Sequence, residues 1–317
     1  MFDFSRILIT GSSGFLGHHV KNTFEDYAMH PDRDIVIITP SRKELNLLDR
    51  AGVDQYLKNY RPDIIIHLAA QCGGIGINSA KPGEFLYNNL MMTSNLIDAA
   101  KDYGKIVKFV GIGTVCSYPK HTPVPFKEEN LYNGYPEETN APYGMAKRMQ
   151  LDMLKAYRQQ YGLNGIFLVP VNMMGEYDNF DDASSHVIPA MLKKFHKAKM
   201  SNSPSVTLWG DGSASREFLY AGDCADAILR ATILYDKPDP VNIGTGKEIT
   251  IKQLAKKIKS VVGYNGEIIW DTTKPNGQPR RCLDTSKAKK EFGFEAKSDF
   301  DHTLSTTYQW AIKNNAL

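Results

Sequence analysis

Short runs of consecutive apolar residues alternate along the first half of the chain with stretches whose apolar positions recur every three or four residues. Residues 6–10 form the first such run and pass through a glycine-rich turn, 11–17, into an amphipathic stretch over 18–27. Residues 35–39 and 64–70 repeat the apolar run, with helical spacing over 47–60 between them; 108–112 and 165–169 follow, each preceded by a helical stretch. Strands that are apolar throughout, rather than alternating, are buried on both faces, which predicts a parallel sheet covered by helices. Right-handed crossovers between such strands give an α/β doubly wound sheet.

After Pro170 the pattern changes. Residues 172–185 are polar and turn-rich, 187–199 are helical, and Trp209-Gly-Asp-Gly-Ser is a tight turn. A helix over 223–234 is expected to return to the first sheet. Beyond it come a strand at 241–243, a helix at 251–262, a strand at 267–270 and a last helix at 302–314. The reading is two lobes: residues 1–170 with about 217–240 as a dinucleotide-binding domain, and 171–216 with 241–317 as a smaller α/β substrate-binding lobe.

Composition narrows the class. The 317 residues carry 38 basic and 35 acidic side chains, a net charge of +3, too even for a nucleic-acid footprint. No apolar stretch is long enough to span a bilayer and residues 1–5 are not a basic-then-apolar leader, so a cytoplasmic protein is expected. Cys72, Cys116, Cys224 and Cys282 lie far apart without a CxxC pair, which argues against a disulfide framework or a zinc site. Taken singly, each reads as a small buried hydrophobe.

Gly11-x-x-Gly14-x-x-Gly17 stands between a strand and a helix. There, residues without Cβ let backbone amides approach a pyrophosphate, and the helix N-terminus adds partial positive charge. In that setting Gly11, Ser12, Ser13, Gly14, Phe15, Leu16 and Gly17 are expected to cradle a dinucleotide. The second strand runs into Thr39-Pro40-Ser41-Arg42-Lys43, with no acid before Glu44. A carboxylate at that point would bond a ribose 2′-hydroxyl and repel a 2′-phosphate; cations there favour NADP(H), with Arg42 as a contact. Two solvated cations would give the same pattern.

Tyr143-Gly-Met-Ala-Lys147 sets a phenol and an ammonium on one face of a helix, one turn apart. A cation at about 5 Å, with an effective dielectric near 20, favours phenolate by roughly 3 kcal/mol before desolvation opposes it. The spacing therefore predicts that Lys147 lowers the Tyr143 pKa and makes it a proton donor to a carbonyl receiving hydride. Lys147 is also placed to hold a nicotinamide ribose. Gly113-Thr114-Val115-Cys116-Ser117 follows the fourth strand, at the sheet end where doubly wound proteins bind ligands, and Thr114 is placed to bond the same carbonyl.

These motifs identify a resemblance. The chain resembles the extended short-chain dehydrogenase/reductase family of Rossmann-fold NAD-dependent epimerases and dehydratases, and within it the GDP-L-fucose synthase branch. The resemblance is carried by Glu44-Leu-Asn-Leu-Leu-Asp49, His67-Leu-Ala-Ala70 with Gly73-Gly-Ile75, Cys116-Ser-Tyr-Pro-Lys120, Glu138-Thr-Asn140 with Tyr143-x-x-x-Lys147, Asp178-Asn-Phe180, Ser185-His-Val-Ile-Pro-Ala190, Trp209-Gly210, Arg216-Glu-Phe218 and Asn242-Ile-Gly-Thr-Gly246. It implies NADP(H) as cofactor, a GDP-linked 4-keto sugar as substrate and no metal. It extends the cofactor contacts to Leu68, Ala69, Ala70, Ile112, Gly113, Lys147, Pro170, Asn172, Met173 and His186.

The resemblance also implies two coupled reactions: epimerisation at C3 and C5, with Cys116 and His186 as acid and base, then reduction at C4, with Tyr143 and Thr114 at the oxygen. A thiol and an imidazole both exchange protons near neutrality. Lys194, Trp209, Arg216, Asn276 and Arg281 would face the nucleotide, although Trp209 read alone fits a buried core equally well. Members of the family pair as dimers through two helices per subunit, here about 88–103 and 146–161. Four places depart from the family: Thr114-Val115 replaces a common Ser-Ser, Gly175-Glu176-Tyr177 stands where Gly-Pro is usual, Pro40 replaces a frequent arginine near the end of the second strand, and Asn276 replaces an aspartate. The alternative reading is a C4 ketoreductase or epimerase/reductase on another GDP-4-keto sugar, such as a heptose. Cys72, Cys224 and Cys282 are left as structural.

Overall fold

The structure is a computed structural model that describes residues 5–274 and 276–317, without the side chain of Ile75. The first half runs β1 (Arg6–Thr10), α1 (Phe15–Ala28), β2 (Val36–Ile38), α2 (Arg50–Tyr60), β3 (Ile64–His67), α3 (Ile75–Ala80), α4 (Pro82–Tyr103), β4 (Lys108–Ile112), α5 (Ala141–Tyr161) and β5 (Gly165–Pro170). The second half runs β6 (Asn172–Met174), α6 (Val187–Met200), β7 (Ser205–Trp209), β8 (Ser215–Tyr220), α7 (Ala221–Leu234), β9 (Val241–Ile243), β10 (Glu248–Thr250), α8 (Ile251–Val262), β11 (Glu267–Asp271), β12 (Arg280–Arg281), α9 (Ser286–Phe292) and α10 (Phe300–Lys313).

The five strands of the first half and β9 form one parallel sheet in the order β2-β1-β3-β4-β5-β9. Strands β3, β4 and β5 are buried at every position, as their largely apolar character requires, and the polar ends of β3 and β4, His67 and Lys108, are buried with hydrogen-bond partners. Chain order reverses between β1 and β3, which opens a crevice at their carboxyl ends. Gly11 turns there with φ +73°, and a Cβ on it would lie 2.6 Å from the Ala69 amide nitrogen, so a side chain is excluded sterically. Beneath the crevice, the buried imidazole of His67 bonds Thr10 Oγ1 at 2.8 Å and Thr93 Oγ1 at 3.1 Å, tying β1, β3 and α4 together. Burial pulls that imidazole down to about 3, so it is neutral and structural.

The lobe boundary differs from the sequence reading. Val241–Ile243, expected in the second lobe, is the sixth strand of the first sheet, paired with β5. Leu283, Ala288, Phe292 and Phe294 also join the first core. The interruption is Asn242: its buried amide donates to the Phe126 carbonyl at 2.9 Å and its oxygen accepts from the Tyr118 hydroxyl at 2.7 Å. A polar residue so fully bonded is as compatible with a core strand as an apolar one.

The second lobe holds a sheet in the order β10-β8-β12, with β6 on β8, and a parallel pair of β7 and β11. Helices α6, α8 and α10 pack over them through Leu192, Phe195, Leu254, Ile258 and Leu304. The sequence reading has no strand at 205–209 or 215–220. One reason is Glu217, a buried carboxylate in mid-strand. It accepts from the Gly246 amide at 2.8 Å, the Leu283 amide at 2.7 Å and the Thr245 amide, tying β8 to the loop after β9. Among the described residues no helix is long and apolar enough to cross a membrane.

Candidate active site

Helix α1 begins at the glycine turn. Its N-cap, Gly14, makes no side-chain cap, and the first turn holds no acid, so its leading amides face the crevice uncapped. Gly17 packs against the turn itself, where a Cβ would strike the Gly11 carbonyl oxygen. Leu68, Ala69 and Ala70 follow β3, Ile112 ends β4 with Gly113 next, and Pro170 ends β5, so these residues line carboxyl ends of one sheet, while Asn172 and Met173 lie on β6, which pairs with β8 of the second lobe. The cradle fits a dinucleotide: small residues, uncapped helix amides and, among the described residues, no opposing carboxylate. Asn172 is the exception, its amide donating to the Glu217 carbonyl at 3.1 Å.

Arg42 and Lys43 are exposed beyond β2, and among the described residues neither pairs with an acid. Glu44 turns away, accepting from the Ser41 amide at 2.8 Å; those bonds hold its carboxyl below the ordinary range. The nearest acid is thus committed to the turn rather than offered to a ribose.

The catalytic candidates are brought together by a short 3₁₀ turn, Val115–Ser117. Thr114 starts it by accepting from the Cys116 amide at 3.2 Å. Ser117 ends it by donating to the Gly144 carbonyl at 3.1 Å, in the first turn of α5. Gly144 permits the approach, since a Cβ there would run into the Cys116 carbonyl. Arg148, buried on the same helix, donates from Nε to the Ser117 carbonyl at 2.6 Å and from Nη1 to the Gly134 carbonyl at 2.9 Å. Cys116 and Tyr143 are consequently neighbours in the cleft. Sequence reasoning passes over Arg148 because it adjoins Lys147 and shows no pattern of its own.

The electrostatics correct one expectation. Tyr143 is pushed well above its usual range, chiefly by burial, then by Cys72 and Cys116. Lys147 is 3% exposed and is pulled to about 8 by the same burial, its ammonium donating to Gln150 Oε1 at 3.4 Å. The expected lowering of the phenol by its neighbour is overridden, because desolvation penalises both charged forms at once. Tyr143 is therefore a firmly protonated hydroxyl, suited to giving a proton only when strong negative charge develops beside it.

His186 sits at the N-cap of α6, solvent-accessible yet flanked by protein, and that crowding lowers its imidazole. The loop after β3 meets it from the other side: the Gly74 amide donates to the Ser184 carbonyl at 3.0 Å, and a Cβ on Gly74 would lie 2.6 Å from the Ser185 carbonyl oxygen. This loop carries Cys72, and here a second expectation fails. Cys224 and Cys282 are buried, but Cys72 opens onto the cleft. It shares the field of Lys147, Asp178 and Cys116, and the protein packed around it pushes its thiol up. Gln71 and Asn89 exchange bonds of 2.9 Å in both directions, which fixes the backbone so that the next side chain faces outward.

Asp178 also went unassigned. It is 6% exposed; Oδ1 accepts from the Asn179 amide at 2.7 Å, and Oδ2 is buried with no hydrogen-bond partner among the described residues. Burial pushes the carboxyl up to about 7.

The nucleotide-side candidates divide. Trp209 is 68% exposed, which removes the buried-core reading, and the Lys274 ammonium lies 5.8 Å from its ring centroid. Lys194 donates to the Thr207 carbonyl at 3.0 Å, on the strand that ends in Trp209. Asn276 Oδ1 accepts from the Asp211 amide at 2.9 Å, closing the tight turn after that strand. Pro275 lies outside the described residues. Arg216 and Arg281 are register partners on β8 and β12.

Comparison with known proteins adds the following. The chain matches the NAD dependent epimerase/dehydratase family over residues 7–244. It is 39% identical over 278 residues to a probable GDP-L-fucose synthase 1 of Oryza sativa subsp. japonica, covering 88% of this chain and 84% of that one. It is 37% identical over 314 residues to a GDP-L-colitose synthase of Yersinia pseudotuberculosis, covering 98% and 99%. Among solved structures, a GDP-6-OMe-4-keto-L-xylo-heptose reductase from C. jejuni superposes with a TM-score of 0.90 at 29% identity, covering 99% of each chain. A GDP-L-fucose synthetase from Naegleria fowleri bound to NADP does so with 0.88 at 26% identity, covering 99% of this chain and 96% of that one.

Proposed function

The chain belongs to the NAD dependent epimerase/dehydratase family, and on that premise we propose that it is an NADPH-dependent GDP-L-fucose synthase, converting GDP-4-keto-6-deoxy-D-mannose by 3,5-epimerisation and 4-reduction. What supports this reading is that the turn carrying Cys116 rests on the first turn of the helix carrying Tyr143, with the His186 imidazole at the N-cap of α6 as a second proton-exchanging group. A reductase alone needs the phenol; a thiol and an imidazole on different walls are what reversible proton removal beside a ketone needs in addition.

The residues divide the work as follows. The uncapped amides of α1 and residues 11–17 hold the pyrophosphate, and Arg42 and Lys43 favour a 2′-phosphate. NADPH bound in this cradle supplies the hydride. Tyr143 and Thr114 hold the C4 oxygen by hydrogen bonds, stabilising enolate charge while Cys116 and His186 move protons at C3 and C5. As charge grows on the C4 oxygen during reduction, the protonated Tyr143 gives up its hydrogen, and the nearby Lys147 cation compensates the phenolate. Lys194, Trp209 and Arg216 bind the nucleotide, the exposed indole offering a stacking face for guanine. Leu86, Tyr87 and Met149 are exposed on α4 and α5, which supports a homodimer formed across those helices.

Incubation with GDP-4-keto-6-deoxymannose and NADPH in D₂O tests this. The reading requires deuterium at C3 and C5 of a fully reduced product; reduction without exchange contradicts it. Likeness to the Campylobacter heptose reductase, together with Val115 where the family has a second hydroxyl, favours as second reading C4 reduction of another GDP-4-keto sugar. That reading requires faster turnover of a GDP-4-keto-heptose than of the 6-deoxyhexose.

A further inference from the structure

Arg281 was expected to face the nucleotide, but its surroundings point elsewhere. The residue is 8% exposed. Nε donates to Gln278 Oε1 at 2.6 Å, and Gln278 in turn donates to the Lys120 carbonyl at 2.8 Å, so the side chain is braced from behind. Nη1 then reaches Cys116 Sγ at 3.6 Å. Among the described residues no carboxylate pairs with it. A buried guanidinium without an anion is costly, and the Cys116 sulfur is the contacting group able to carry negative charge. The register pairing with Arg216 sharpens this. The Arg216 guanidinium is pulled down to about 10 by burial first and by the like charge of Arg281 next, with Cys116 acting in the opposite sense.

We propose that Arg281 is a positioning residue for Cys116 rather than a ligand of the diphosphate, holding the sulfur toward the sugar and balancing the charge that sulfur acquires. This rests on the epimerase half of the proposed function. When the Cys116 thiol protonates the enolate carbon, the S–H bond breaks, a C–H bond forms, and the negative charge passes from enolate to sulfur beside Nη1. When the thiolate removes a proton from that carbon, the same charge leaves the sulfur. In both directions the arginine offsets charge at one end of the transfer, as a carboxylate in that place would not.

The test uses the intact protein as Arg281→Gln and Arg281→Lys. Iodoacetamide labelling of Cys116 is followed by peptide mass spectrometry, with the cleft thiol Cys72 as internal reference, and GDP affinity is measured by calorimetry. Arg281→Gln is expected to slow Cys116 labelling by about 10-fold relative to Cys72, as loss of a thiolate's cation partner should. GDP affinity is expected to stay within about twofold, which also certifies the fold, and Arg281→Lys to recover most of the labelling rate. Unchanged labelling, or a fall in GDP affinity of about 10-fold with or without a labelling change, overturns the assignment. If the unmodified protein fails to bind GDP, the nucleotide reading fails separately, and labelling alone decides on Arg281.

Discussion

The Ser117 hydroxyl donates to the Gly144 carbonyl at 3.1 Å, and through this bond the turn that presents Cys116 rests on the first turn of the helix that presents Tyr143. Two chemistries that the sequence keeps 27 positions apart thereby share one wall. The two turns approach this closely because Gly144 has no Cβ, which would strike the Cys116 carbonyl, so the contact is sensitive to a single methyl group.

Gly144→Ala is expected to force the Cys116 carbonyl away. Overpacking of this kind costs about 1–3 kcal/mol, visible as a lower thermal midpoint, and should lower turnover more than NADPH affinity. A variant with unchanged melting and rate would show that the two turns do not need this contact.

Lys147 should set the alkaline limit of the reaction. Its ammonium is pulled to about 8, so charge to compensate the phenolate is present below that pH and lost above it, whereas Tyr143 stays protonated throughout. The kcat/KM profile is expected to fall above about pH 8, and the fall to vanish in Lys147→Arg, which stays charged. Folding carries the matching signature. Between about 8 and the ordinary 10.5 the unfolded chain binds the extra proton, so stability rises with pH across that window. Lys147→Met should therefore be more stable than the unmodified chain at pH 7, by up to about 3 kcal/mol, with no difference above the window.

Asp178 gives the opposite slope. With its carboxyl raised from 3.8 to about 7, the folded chain holds a proton that the unfolded chain releases, so this group makes stability fall as pH rises from 4 to 7. Asp178→Asn keeps the oxygen that accepts from Asn179 and removes the orphaned charge. Urea denaturation should find the variant more stable at pH 8 and equal to the unmodified chain near pH 4. Equal stability at both would mean that Oδ2 has a partner.

Arg42 and Lys43 should discriminate between the two nicotinamide cofactors. Replacing both by alanine is expected to raise KM for NADPH by about 10-fold or more while leaving NADH nearly unchanged. Equal effects on both cofactors would assign the cations to solvent.

Much of this was legible in the sequence, for identifiable reasons. The strands of the first sheet and the glycine turn declare themselves through local pattern: unbroken apolar runs, and Gly11, Gly14 and Gly17 at a strand–helix junction. Strand β8 did not, because Arg216 and Glu217 interrupt it with charges whose partners are remote in the chain. Val241–Ile243 was given to the wrong lobe because the bonds that satisfy Asn242 come from Tyr118 and Phe126. Cys72 read as a hydrophobe, since nothing local reveals the Gln71–Asn89 exchange that turns it outward. Tyr143 and Lys147 stand one turn apart on α5, as their spacing predicts, but the acidity of the phenol runs the opposite way. Residue spacing supplies a distance between charges and says nothing of how much water burial removes.

The most direct measurement is single-turnover oxidation of NADPH by Tyr143→Phe beside the unmodified protein, with NADPH affinity measured on both. The account predicts affinity within about threefold and a rate lowered by roughly 10²–10⁴-fold, the range spanned by loss of a positioned proton donor. A Tyr143→Phe enzyme that reduces the ketone at the unmodified rate would contradict it.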